Sequence, residues 1–168
     1  MSIHSYSGKS HEVDAHAAGK EAAQKALDGL KEKPQLIIVF SSVVHDQEKM
    51  LAGVREVTGE TPLMGSSTAG EIMTEGPSKK SVVVMAIATD DVRFQLACIE
   101  SMHDPLAAGK ALSEELKKLS PKGTFAMIMP DGLAGNGADV VRGMQTVLGE
   151  TFPIVGGTPG DDFMFKKT

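Results

Sequence analysis

Apolar residues recur at Ala15, Ala18, Ala22, Ala26 and Leu30, the 3.6-residue period of a helix over about 14–30. Asp14 is placed to cap it and Lys33-Pro34 to stop it. Its small-residue face predicts close packing, flat against a sheet. The unbroken apolar run from Leu36 to Phe40 predicts a strand covered on both faces. After a polar break at 41–46, Met50, Leu51, Val54 and Val57 mark the inward stripe of a second helix, which Gly59 ends. Pro62-Leu63-Met64 predicts a short strand running into a glycine-rich turn. Residues 82–88 predict another buried strand. Residues 92–100 alternate, with Val92, Phe94, Leu96 and Cys98 on one face, so the two runs predict an antiparallel hairpin turning at Thr89-Asp90-Asp91.

A similar series then follows. Asp104-Pro105 opens a helix whose inward residues are Leu112, Leu116 and Leu119, closed by Ser120-Pro121. Phe125 to Met129 predicts a buried strand. A helix over about 137–148 follows, with Asn136 as cap, Asp139 as the second half of a capping box, and Val140, Val141, Met144 and Val147 inward. Pro153-Ile154-Val155 leads to a second glycine turn.

The likeness reaches individual residues. Ala17-Ala18-Gly19-Lys20 returns ninety positions later as Ala107-Ala108-Gly109-Lys110, Gly59-Glu60-Thr61 as Gly149-Glu150-Thr151, and Gly53 as Gly143. The stretch from Pro62 to Glu71 returns, altered and with one inserted residue, from Pro153 to Asp162. The pattern therefore predicts an α/β fold of internally duplicated α-β-α-β units around a mixed sheet, forming a single domain over 1–168. Repeat 1 covers about 14–100 and an incomplete repeat 2 about 104–168. The counterpart of residues 79–100 is missing from the second copy. The expectation is a fragment, or a partner that covers the open sheet edge, since an uncovered edge invites aggregation.

Composition narrows the function. The chain has 168 residues, 41% of them hydrophobic, enough for one core, and a net charge of -5 with acids and bases interspersed. Without a basic stripe or clustered aromatics it is not expected to bind nucleic acid. One cysteine builds no disulfide framework within the chain, no apolar leader is visible, and the longest apolar run falls far short of a membrane span. The default is a reduced, cytoplasmic, soluble domain without membrane insertion. The five histidines lack ligand spacing, so no metal is expected. Cys98 and the ten methionines read mostly as core residues.

Ligands of open α/β sheets bind beyond the carboxyl ends of parallel strands. Four segments should meet there: Ser41-Ser42, Asp131-Gly132, Ser66-Ser67-Thr68 with Gly70-Glu71, and Gly157-Thr158 with Asp161-Asp162. The ninety-residue offset supports the grouping, pairing Ser41 with Asp131 and Glu71 with Asp161. The plainer alternative is a set of tight turns whose Ser, Thr and Asp side chains satisfy local backbone groups.

Gly65 and Gly70 frame four residues, the first half of a phosphate loop, but Glu71 and Ile72 stand where Lys and a hydroxyl are needed. A carboxylate there repels phosphate. Backbone amides with Ser67 and Thr68 suit a small anionic group, and Glu71 with Asp161 or Asp162 a cationic one. Together they suit a zwitterion such as an amino acid. The competing reading is a hydrolase or transferase in the same cleft, with Ser67, His45 and Asp131 as a conceivable triad, although Ser67 lacks the nucleophile-elbow spacing. The expectation is a non-enzymatic binding module.

An apolar strand ending in Ser41-Ser42 is followed by Pro62-x-x-Gly65-x-Ser67-Thr68-Ala69-Gly70-Glu71. Pro130-Asp131-Gly132 and Gly156-Gly157-Thr158-x-Gly160-Asp161-Asp162 come next. In this order the chain resembles the N-terminal FIST domain of intracellular signal-transduction proteins, over nearly its whole length. The resemblance implies a sensory module for amino acids or related metabolites. It would work with a FIST C-terminal domain and a histidine kinase, chemoreceptor or cyclic-dinucleotide output partner. Some members are haem-based nitric oxide sensors, so haem is the one cofactor implied, though no histidine here is assigned to it. Many relatives carry Cys where this chain has Ser66, which removes any thiol role.

Overall fold

A computed structural model describes residues 2–100 and 103–166. The chain forms two compact units, one gathering the residues up to Phe94 with Gly160–Met164, the other Gln95–Pro159 with the residues from Phe165.

In chain order the first unit holds β1 (Ile3–Ser10), α1 (Ala15–Leu30), β2 (Leu36–Ser42), α2 (Gln47–Thr58), β3 (Leu63–Thr68), β4 (Glu71–Met73), β5 (Gly76–Ser78) and β6 (Val82–Thr89). Four strands make a mixed sheet in the order β1-β6-β2-β3, with β2 and β3 parallel and β6 antiparallel to both of its neighbours. Helices α1 and α2 cover one face. The expected inward residues of α1 all prove buried, together with Ile37, Val39, Val54, Val82 and Val84. Asp14 caps α1 by accepting from Ala17 N at 2.8 Å. It ends at Leu30 as expected, but the residue that stops it is a left-handed Lys31, ahead of Lys33-Pro34.

The two helices cross at glycine. A Cβ on Gly19 would lie 2.0 Å from the Met50 carbonyl oxygen, and one on Gly53 2.0 Å from that of His16. Hydrogen would be the only side chain that fits there.

The second unit holds α3 (Pro105–Leu119), β7 (Ala126–Ile128), α4 (Gly137–Leu148) and β8 (Ile154–Gly156), with β7 and β8 parallel. Its core joins Ala126, Ile128, Val140 and Met144, with Leu112 and Leu116 against them. The helix crossing recurs: a Cβ on Gly109 would lie 2.1 Å from Val140 O, and one on Gly143 2.1 Å from Leu106 O. Each of these residues stands ninety positions after its counterpart in the first unit.

Several expectations are corrected. Residues 92–100 form no hairpin with β6, because both edges of β6 are already taken by β1 and β2. The strand β1 went unread because its helix-facing residues, Tyr6, Gly8 and Ser10, are not a run of large apolar side chains. With no strand at 92–100, Cys98 is exposed and not a core residue. The run at 125–129 is buried on one face only, leaving Phe125 and Met127 exposed, and Leu51 and Leu119 also face outward. Among the methionines only Met50 and Met144 are buried, of those described. Asp139 pairs with Arg142 at 2.5 Å and does not close a capping box.

Candidate functional site

Strands β2 and β3 run parallel, and their carboxyl ends carry Ser41, Ser42, Ser66, Ser67 and Thr68, with Ser41 opposite Ser67 and Ser42 opposite Thr68. Pleating divides this set. Side chains alternate between sheet faces, so Ser41 and Ser67 follow Val39 onto the helix face while Ser42, Ser66 and Thr68 point to the other.

On the helix face Ser41 is buried and donates to Gln47 Oε1 at 2.6 Å, while Gln47 Nε2 donates to the carbonyls of Ser42 and His45 at 3.0 and 2.9 Å. Asp46 caps α2, and the Lys49 backbone N–H holds its carboxylate below the usual range. The Ser67 hydroxyl and His45 Nε2 are both buried without a partner. They therefore do not bond to each other as a nucleophile and its base would.

On the opposite face the far end of the chain arrives. Gly160 N donates to the Ser67 carbonyl at 3.2 Å, and a Cβ on Gly160 would lie 2.9 Å from Ala69 N. Ser42 is fully buried, and its hydroxyl donates to Asp162 Oδ2 at 2.5 Å. Asp161 is buried, and Asp162 occupies the left-handed region at φ 53. The acidic end of the second glycine turn thus lies across the strand ends of the first.

Glu71, expected to offer its carboxylate to a cationic group, is turned inward. It is 1% exposed, and its carboxylate accepts from the Thr68 hydroxyl, the Ser81 hydroxyl and, at 3.2 Å, the Ser81 amide. Gly70, at φ 149, makes the bend that turns β3 into β4 and carries the carboxylate inward. Ser81, at the start of β6, is the residue that sequence reasoning missed. It gave no signal, because a lone serine before a strand has no motif.

The remaining candidates lie in the second unit. Asp131 Oδ1 accepts from Leu133 N at 2.9 Å, an Asx turn. A Cβ on Gly132 would lie 3.0 Å from Thr158 Cβ, so these two loops touch. Gly157 and Thr158 border an open recess of about 220 Å³ with Ile128, Pro130, Gly137 and Val141. Among the described residues no group of three or more His, Cys, Asp or Glu is arranged to hold a metal ion.

The FIST N domain model matches residues 35–168, from the start of β2 onward. The chain belongs to the FIST N domain family. FIST domains are sensory modules of signal transduction, and in this one the matched region includes every strand end and glycine turn described above. No curated protein matches the chain. Among the described residues no helix of this FIST domain is long and apolar enough to cross a membrane.

Proposed function

We propose that this FIST domain is a non-catalytic sensor that takes a small polar ligand, such as an amino acid, at the carboxyl ends of β2 and β3. The observation that carries this is the Ser42–Asp162 hydrogen bond, which ties residues 120 positions apart across those ends. Ser42 and Ser66 offer hydroxyls to a carboxylate, and Asp161 and Asp162 offer charge to an ammonium group. Glu71 serves here as an internal brace. A ligand whose carboxylate takes Ser42 and whose ammonium takes Asp162 replaces their direct hydrogen bond and shifts residues 160–162 against the strand ends, and such differential affinity is what a sensor requires.

The signal passes, in this reading, to a FIST C-terminal domain and to a kinase, chemoreceptor or cyclic-dinucleotide output partner in the cytoplasm. We also read α1-β2-α2-β3 and α3-β7-α4-β8 as copies of one ancestral unit. The glycine crossings repeated at one offset support that reading.

Calorimetric titration of the chain with an amino-acid panel tests the site. Asp162→Asn and Ser42→Ala are expected to weaken binding about tenfold each, the worth of one charge-assisted hydrogen bond. Ser67→Ala, on the opposite face, should bind as the parent does. Undiminished binding in both of the first two variants removes the site. Turnover of ester, amide or phosphate substrates that Ser67→Ala abolishes would replace the sensor with an enzyme.

A further inference from the structure

We infer that the loop from β2 to α2, residues 43–46, reads out what occupies the Ser42 hydroxyl, and that Gln47 is the positioning residue that carries the reading into α2. This rests on Ser42 as a ligand residue of the proposed sensor and names the regulation of that site.

Ser42 is a junction, with each of its polar atoms engaged. Its amide donates to Ser81 O, just before β6, at 3.1 Å. Its hydroxyl donates to Asp162 Oδ2 and accepts from Val44 N at 3.3 Å. Its carbonyl accepts from His45 N at 3.3 Å and from Gln47 Nε2 at 3.0 Å. The two bonds that shape the loop, from Val44 N and His45 N, are therefore the longest of the set. They lie just past the usual 2.7–3.2 Å range and are the first to break when Ser42 moves. A serine side chain has three staggered positions. A ligand carboxylate arriving at a different angle from Asp162 selects another of them and takes the oxygen away from Val44 N.

Gln47 converts that local change into a change of the helix. It is the first residue of α2, and its side chain folds back over the loop. Its Oε1 accepts from Ser41, and its Nε2 donates to the Ser42 and His45 carbonyls. Only this orientation works, because exchanging O and N would aim the amide oxygen at two carbonyl oxygens. One turn later the Met50 carbonyl lies against α1, where a Cβ on Gly19 would come within 2.0 Å of it. A shift at the start of α2 is thus felt by its neighbour.

The second unit shows that a helix at this place needs no such relay. At the ninety-residue offset Gly132 and Gly137 stand where the first unit has Ser42 and Gln47. Helix α4 nevertheless spans Gly137–Leu148, the same offset from Gln47–Thr58 of α2. Ser42 and Gln47 are therefore additions to a junction that folds without them.

The test is amide hydrogen exchange by NMR on the full chain with no ligand added. Asp162→Gly frees the Ser42 hydroxyl, and glycine accepts the left-handed backbone at φ 53. Exchange should quicken about tenfold at Val44 and His45, the worth of one hydrogen bond, and also rise at Lys49 and Met50, whose amides bond to Asp46. On a Gln47→Met background Asp162→Gly should still quicken Val44 and His45 but leave Lys49 and Met50 unchanged. If Gln47→Met does not fold, Gln47→Glu takes its place, since it keeps the acceptor for Ser41 and loses both donors. Unaltered exchange at Val44 and His45 in Asp162→Gly overturns the loop as the readout. An equal response of Lys49 and Met50 in both backgrounds overturns Gln47 as the relay, and is what a merely structural glutamine would give. The amino-acid titration measures ligand affinity and this experiment adds none, so either proposal can fail while the other stands.

Discussion

Glu71 shows how a side chain's role follows from its neighbours. In the sequence it ends a polar, glycine-rich turn and reads as a carboxylate offered to a ligand; in the structure three donors from Thr68 and Ser81 occupy it. Glu71→Ala strands all three, and hydrogen bonds to a charged group contribute about 1.5–3 kcal/mol each, so even with partial relaxation a loss of at least about 3 kcal/mol in urea unfolding is expected. Glu71→Gln, which keeps one acceptor oxygen, should lose less. Glu21 is a group whose partners make stability depend on pH. The Lys25 ammonium, and after it the Ser10 hydroxyl, hold its carboxyl below the ordinary 4.5. A lowered carboxylate contributes stability above its unfolded pKa and loses it as pH falls through the folded one. Glu21→Gln should therefore trail the parent slightly at about pH 7 and converge on it as pH falls through the lowered folded pKa, measured as urea midpoints. The exposed position of Glu21 keeps the difference small.

At the scale of elements, the helices were legible because each carries its own signals: a capping side chain, a 3.6-residue stripe and a terminating residue. All four formed within a residue or two of their expected bounds. Strands were less legible, because what stabilises a strand is its neighbour. Residues 92–100 alternate well and join no sheet, whereas β1 alternates poorly and is held by eight residue pairs with β6. The glycines at the helix crossings show the same dependence. Ala normally outdoes Gly inside a helix by about 1 kcal/mol. At Gly53 the added methyl would meet the His16 carbonyl at 2.0 Å, so Gly53→Ala should destabilise by about 2 kcal/mol, as overpacked cores do. Thermal unfolding reads that sign directly.

At the scale of the whole molecule, the two units differ in how well their sheets are secured. Strands β2 and β6 are paired on both edges, while β7 has one partner and residues 95–99 none. Native-state hydrogen exchange should find the slowest amides in β2 and β6 and near-unprotected ones at 95–99, since protection follows pairing and burial. Comparable protection at 95–99 and in β2 would contradict this ordering. Membership of the FIST family and the α/β class could be read in the chain itself, since helix periods, apolar runs and the glycine motifs are local in sequence. The repeated markers, too, are properties of the string. The pairing of β1 with β6, the turning inward of Glu71 and the reach of Asp162 to Ser42 could not be read there. Each depends on groups that are remote in sequence competing for the same partners, and that competition is resolved when the chain packs.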